Sequence, residues 1–111
     1  NHMACTAALA VLDVMEEEHL IENAAEVGDY LLKRLKDFAA SHAEITDVRG
    51  RGLMIGIEFN HAVNAIRESL VYDQHCFTGA SCGTMLRLLP PLCFSKADAD
   101  EFMEKLNAVV K

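Results

Sequence analysis

Arg87 stands in the apolar stretch Met85-Leu86-Arg87-Leu88-Leu89-Pro90-Pro91-Leu92. A guanidinium held in a greasy strand must find an anion, because an unpaired buried charge is very costly. Its planar fork suits a carboxylate, which it can grip through two parallel hydrogen bonds. Two sources of that carboxylate are open. One is internal, with Glu58 on a neighbouring strand as the partner. The other is an acidic small molecule arriving from outside.

Other reactive residues form no constellation. Ser41-His42 and Asp47 lie close in sequence, but a nucleophile needs a base in reach and an orienting group. Ser41-His42 reads as a fraying helix end. Asp98 and Asp100 fall on a solvated helix, so no carboxylate pair is placed for acid–base work. His75 adjoins Cys76, yet no second pair lies at ligand spacing, and the reading is adjacency in a strand rather than a metal site. Gly50, Gly52 and Gly56 give G-x-G-x-x-x-G, one residue longer than the dinucleotide fingerprint and with no helix after it. The residues themselves thus offer no catalytic constellation, no dinucleotide loop and no metal site.

The elements that must position Arg87 follow from periodicity. Met3 to Met15 is Ala-rich and apolar on most faces, a helix that either lacks its partner or is buried in this domain. Glu16, Glu17 and Glu18 interrupt it and favour the start of a second helix, about Glu18 to Ser41, with apolar residues at Leu20, Ala24, Val27, Leu31, Leu35 and Phe38. Gly28 inside that helix costs about 1 kcal/mol relative to Ala, and close packing is the expected reason. Ile45 to Val48 and Leu53 to Phe59 read as strands joined by a turn, Arg49-Gly50-Arg51-Gly52. A short helix, Ala62 to Tyr72, comes next, with Val63, Ile66 and Leu70 as its buried stripe.

A third strand is placed at His75 to Thr78, a turn at Gly79 to Gly83, and a fourth strand at Thr84 to Leu89, ended by Pro90-Pro91. Ser95 and Asp98 form a capping box for the last helix, whose core face is Phe102, Met103, Leu106 and Val109 or Val110. The predicted fold is α+β, a small, mostly antiparallel sheet of three to four strands with helices on one face.

Composition narrows the function. The 111 residues carry a net charge of −7, and their ten basic residues form no long run, which disfavours nucleic acid and anionic membranes. Lys33, Arg34 and Lys36 read as a solvated helix end. No apolar run of about 18 residues is present to cross a membrane. Four cysteines, Cys5, Cys76, Cys82 and Cys93, fit neither a zinc ribbon nor a disulfide scaffold and read as reduced thiols, which points to the cytoplasm.

Three stretches in register carry a family resemblance. They are Met3-Ala4-Cys5-Thr6-Ala7-Ala8-Leu9-Ala10-Val11-Leu12, Val48-Arg49-Gly50-Arg51-Gly52-Leu53-Met54-Ile55-Gly56-Ile57-Glu58, and Leu86-Arg87-Leu88-Leu89-Pro90-Pro91-Leu92. Together they resemble the C-terminal part of class III (subgroup II) aminotransferases, nearest to the acetylornithine and ornithine enzymes. Asn1-His2-Met3 by itself reads equally as a cloning scar or as native sequence, and the resemblance implies the second. It also implies two parts: residues 1–15, a helix that would join a large domain, and residues 16–111, the C-terminal small domain of a fold-type-I pyridoxal-phosphate enzyme.

The resemblance further implies an intact homodimeric enzyme that moves an amino group through pyridoxal phosphate, with N-acetylornithine and 2-oxoglutarate as the usual pair and arginine biosynthesis as the setting. The Schiff-base lysine, the aspartate at the pyridine nitrogen and most phosphate ligands lie upstream in the family, so the chain alone is expected to be inactive and to bind no cofactor. Arg87 matches the family arginine that meets a substrate carboxylate, or pairs with a glutamate that alternates with substrate. Cys93 stands where the family more often has a small hydroxyl residue. Residues 60–83 diverge most, so ornithine or another ω-amino acid stays open as substrate. A stand-alone α+β ligand-binding or interaction module is the reading from a different class.

Overall fold

Four helices and four strands run in the order α1 (His2–Glu17), α2 (Leu20–Ala40), β1 (Ile45–Arg51), β2 (Met54–Phe59), α3 (Asn64–Tyr72), β3 (Gly79–Ser81), β4 (Met85–Leu88) and α4 (Lys96–Val109). The computed structural model describes all of residues 1–111. The strands form one open sheet in the order β1-β2-β4-β3, every neighbour antiparallel. This is the α+β arrangement expected from the periodicity.

Alternation divides the sheet into two faces. Val48, Ile55, Ile57, Phe59, Leu86 and Leu88 point inward and are buried. On that side α2 contributes Val27, Leu31 and Leu35, and α4 contributes Ala99, Phe102, Met103 and Leu106. Ile66 and Leu70 of α3 join the same cluster of 19 buried residues. The opposite face carries no helix.

Polar ties fasten the inner layer. Tyr30 donates to Asp100 at 2.6 Å, Arg34 pairs with Asp100 at 2.5 Å, and Lys96 pairs with Glu26 at 2.7 Å, all between α2 and α4. The capping box is formed: Asp98 N–H donates to Ser95 Oγ at 3.1 Å, and Ser95 N–H donates to the Asp98 carboxylate at 2.8 Å. Asn23 of α2 donates from Nδ2 to the carbonyls of Leu92 (2.7 Å) and Phe94 (3.0 Å), tying down the segment that follows Pro90-Pro91.

Several boundaries differ from the sequence reading. β1 runs on through Arg51, and the turn is only Gly52-Leu53. Gly52 alone takes positive φ there, 56°, as the first turn position of a type II′ hairpin does. Residues 75–78, predicted as a strand, are irregular, with His75 at φ 53°. The third strand instead occupies Gly79–Ser81, which the sequence reading assigned to a turn. The connection is Cys82 to Thr84, with positive φ at Cys82 and Gly83. A register slip marks β1 between Ile45 and Asp47.

α1 has no buried residue. Met3 is 82% exposed, and Leu9, Val11 and Leu12 are also open to solvent. The helix therefore does not enter this chain's core. It also stretches the molecule to 49 × 26 × 23 Å, with a radius of gyration of 15.8 Å, where a compact chain of this length would give about 13 Å.

Candidate functional site

Arg87 lies on the open face of the sheet. Its neighbours Leu86 and Leu88 are buried, whereas Arg87 itself is exposed. This corrects the expectation of a guanidinium buried in a greasy strand: alternation sends the leucines inward and the arginine outward. The internal partner weighed from the sequence is absent as well, for Arg87 makes no ion pair with Glu58 or with any other carboxylate of the chain.

Glycines flank it on both sides. Arg87 pairs with Gly56 of β2 and with Gly79 of β3. A Cβ on Gly79 would come 3.2 Å from Arg87 Nε and 3.5 Å from Nη2, so the arginine side chain lies across Gly79. On the other flank a Cβ on Gly56 would come 3.0 Å from Met85 Sδ, so the thioether covers Gly56. The small residues admit these close approaches, as glycines in strands commonly do.

The acids of this face are engaged elsewhere. Arg49 of β1 donates from Nη1 to Asp47 at 2.5 Å and from Nη2 to Glu58 Oε2 at 2.9 Å. Thr84 donates to Glu58 Oε1 at 3.0 Å. The hydrogen bond to Asp47, and then the one to Glu58, hold the Arg49 pKa above its ordinary value. Of the three arginines on this face, Arg49 is neutralised, Arg51 stands unpaired at the hairpin end of β1, and Arg87 stands unpaired on the inner strand β4, open to a carboxylate from solvent.

The remaining candidates do not assemble. Ser41 Oγ and His42 Nδ1 are 3.1 Å apart, but Nδ1 also meets the Phe38 carbonyl at 2.8 Å and the ring stacks on Phe38. Asp47 belongs to Arg49. Ser41-His42 is a helix end, as read from the sequence. No group of His, Cys, Asp and Glu is arranged to hold a metal ion, and all four cysteines are free. Cys76 opens on a groove of about 390 Å³ with Phe77, Phe94 and Lys105. Burial pushes its thiol pKa up, which opposes thiolate chemistry. Asn23, which anchors the segment beyond β4, was missed by the sequence reading. An asparagine on a helix carries no local signal of a partner about 70 residues away.

The chain matches the family model for class-III aminotransferases over residues 1–110. It is 42% identical over 118 residues to alanine–glyoxylate aminotransferase 2 homolog 2, mitochondrial, of Arabidopsis thaliana, covering 96% of this chain and 25% of that protein. It is 38% identical over 111 residues to ornithine aminotransferase 1 of Staphylococcus saprophyticus, covering 100% of this chain and 27% of that protein. The acetylornithine aminotransferase of Elizabethkingia anophelis superposes with a TM-score of 0.86 at 25% identity, over 96% of this chain and 28% of that one. The chain belongs to the class-III aminotransferase family and spans about a quarter of the length of the relatives it matches.

The family implies pyridoxal phosphate, and the residues of this chain do not by themselves fit it. A Schiff-base lysine must lose its proton. Lys96 is held charged by Glu26, and Lys105 by Glu101. Lys33 and Lys36 are exposed on α2, Lys111 is exposed just past α4, and none of the five stands on the open sheet face.

Proposed function

We propose that this chain is the small-domain part of a pyridoxal-phosphate aminotransferase, and that Arg87 receives the carboxylate of its amino-acid or 2-oxo-acid substrate. The observation that carries the reading is an arginine without an anion on the inner strand β4, between Gly56 and Gly79, on a sheet face where Asp47 and Glu58 are both occupied. A carboxylate approaching this face meets a planar fork able to donate two parallel hydrogen bonds, which fixes orientation as well as charge. Cofactor chemistry belongs to residues outside this stretch. The large domain of the same polypeptide would also cover α1, whose apolar residues find no cover here. Residues 1–15 are thus read as the joining helix and residues 16–111 as the small domain.

N-acetylornithine with 2-oxoglutarate is our reading of the substrate pair, in arginine biosynthesis, by a cytoplasmic homodimer. Relatives named as ornithine aminotransferases and a solved acetylornithine aminotransferase support this substrate class. The four free thiols suit a reducing compartment.

The test uses the complete enzyme that carries this stretch. Arg87→Gln is expected to raise KM for 2-oxoglutarate at least about tenfold, because a charge-assisted pair to the carboxylate is lost. The 111-residue chain alone is expected to give no transamination. An unchanged KM in the variant rejects the role of Arg87, and turnover by the isolated chain rejects the assignment as a domain.

A further inference from the structure

Glu58 and Arg87 share the open face of the sheet on adjacent strands. Gly56 is the residue opposite Arg87, and Met85 is the residue opposite Glu58. Glu58 and Arg87 are therefore diagonal neighbours, a relation in which Cβ atoms lie about 7–8 Å apart and long side chains can meet. Opposite charges so placed would ordinarily pair. Here they do not, and three contacts account for it. Arg49 holds Glu58 Oε2, Thr84 holds Oε1, and Arg87 itself leans over Gly79, on the far flank from β2.

The row across the sheet is Arg49, Gly56, Arg87, Gly79. Two cations thus stand two strands apart, about 10 Å by the usual strand spacing. Both nearby carboxylates, Asp47 and Glu58, go to Arg49. Arg49 could keep its charge balanced through Asp47 alone. Its second bond draws Glu58 toward the β1 side of β2. Met85, covering Gly56, fills space on the β2 flank of Arg87.

We infer that Arg49 and Thr84 are positioning residues that sequester Glu58, keeping Arg87 free to receive the substrate carboxylate. This rests on Arg87 being the carboxylate receptor. Neither residue touches substrate in this scheme; each acts by holding both oxygens of a competing anion. Released, Glu58 would act as an internal competitor for the guanidinium.

The complete enzyme is assayed with 2-oxoglutarate as the varied substrate. Arg49→Gln is expected to raise KM about fivefold, with kcat changed less, since an exposed ion pair of ordinary strength then competes with substrate. Thr84→Val, which leaves Arg49 and its packing in place, is expected to raise KM by about twofold on the same ground. The decisive variants are the doubles. Arg49→Gln with Glu58→Gln, and Thr84→Val with Glu58→Gln, should each return KM to the parental value, because the competitor has lost its charge. A merely structural role for Arg49 predicts no such rescue. Unchanged KM in both single variants, or raised KM that Glu58→Gln fails to restore, overturns the inference. Arg87→Gln run alongside separates the two levels. If it leaves KM unmoved, the receptor role itself falls. If it raises KM while the rescue fails, only the sequestration of Glu58 falls.

Discussion

Gly28 of α2 lies directly against Gly52 at the β1–β2 turn: a Cβ on Gly28 would stand 2.1 Å from the Gly52 carbonyl oxygen. This contact sets how closely the helix approaches the hairpin. In an open helix interior Gly→Ala stabilises by about 1 kcal/mol. At this site the added methyl meets backbone, and Gly28→Ala is expected to destabilise by about 3 kcal/mol. Urea unfolding of the two proteins decides it, and a more stable alanine variant would contradict the packing described.

Asn23 holds two carbonyls of the segment after β4. Asn23→Ala leaves both without that donor and is expected to cost about 1–2 kcal/mol. Amide exchange around Leu92 to Phe94 should quicken with it. Equal exchange rates in both proteins would show that the segment is held by other means.

Ser95 and Asp98 cap α4 reciprocally. The Ser95 side chain first, and its backbone N–H second, hold the Asp98 pKa below 3.8. With the folded value depressed, the contribution to stability is present above 3.8 and is lost as pH falls through the folded value. Ser95→Ala should cost about 1 kcal/mol at neutral pH. It should also bring the Asp98 midpoint back toward its ordinary value in a carboxylate NMR titration, and a midpoint that stays put would contradict the capping geometry.

His61 works in the opposite window. Its Nδ1 meets the Ala62 carbonyl and its Nε2 meets the Glu44 carboxylate, both at 3.0 Å. The backbone bond, followed by Glu44, raises its pKa above 6.5. With the folded value raised, the stabilising contribution is complete below 6.5 and disappears as pH climbs through the folded value. Imidazole NMR should place the midpoint above 6.5, and Glu44→Gln should lower it. An unshifted midpoint in that variant would remove Glu44 from the account.

The order of the eight elements could be read from the sequence because helical and two-residue periods are local properties. The inner face of β2 and the stripe of α2 were legible for that reason. The sequence places Arg87 in a strand, as the structure does, but implies burial where the side chain is exposed. Its leucine neighbours suggested burial, although alternation alone sends Leu86 and Leu88 one way and Arg87 the other. β3 escaped because Gly79, Ala80 and Ser81 have little intrinsic strand preference; their state comes from main-chain pairing with β4. His75 to Thr78 looked more strand-like yet has no partner strand. The sequestration of Glu58 was beyond sequence reading, since it joins residues on three elements.

The brevity of β3 has a consequence for behaviour at high concentration. Exposed sheet borders are templates on which further chains can add and grow into fibrils. Here one border offers only three residues. The other, β1, is interrupted by a slip between Ile45 and Asp47 and bears Asp47, Arg49 and Arg51. Neither border presents a long, flat, uncharged ladder, so the sheet itself resists stacking into cross-β aggregates.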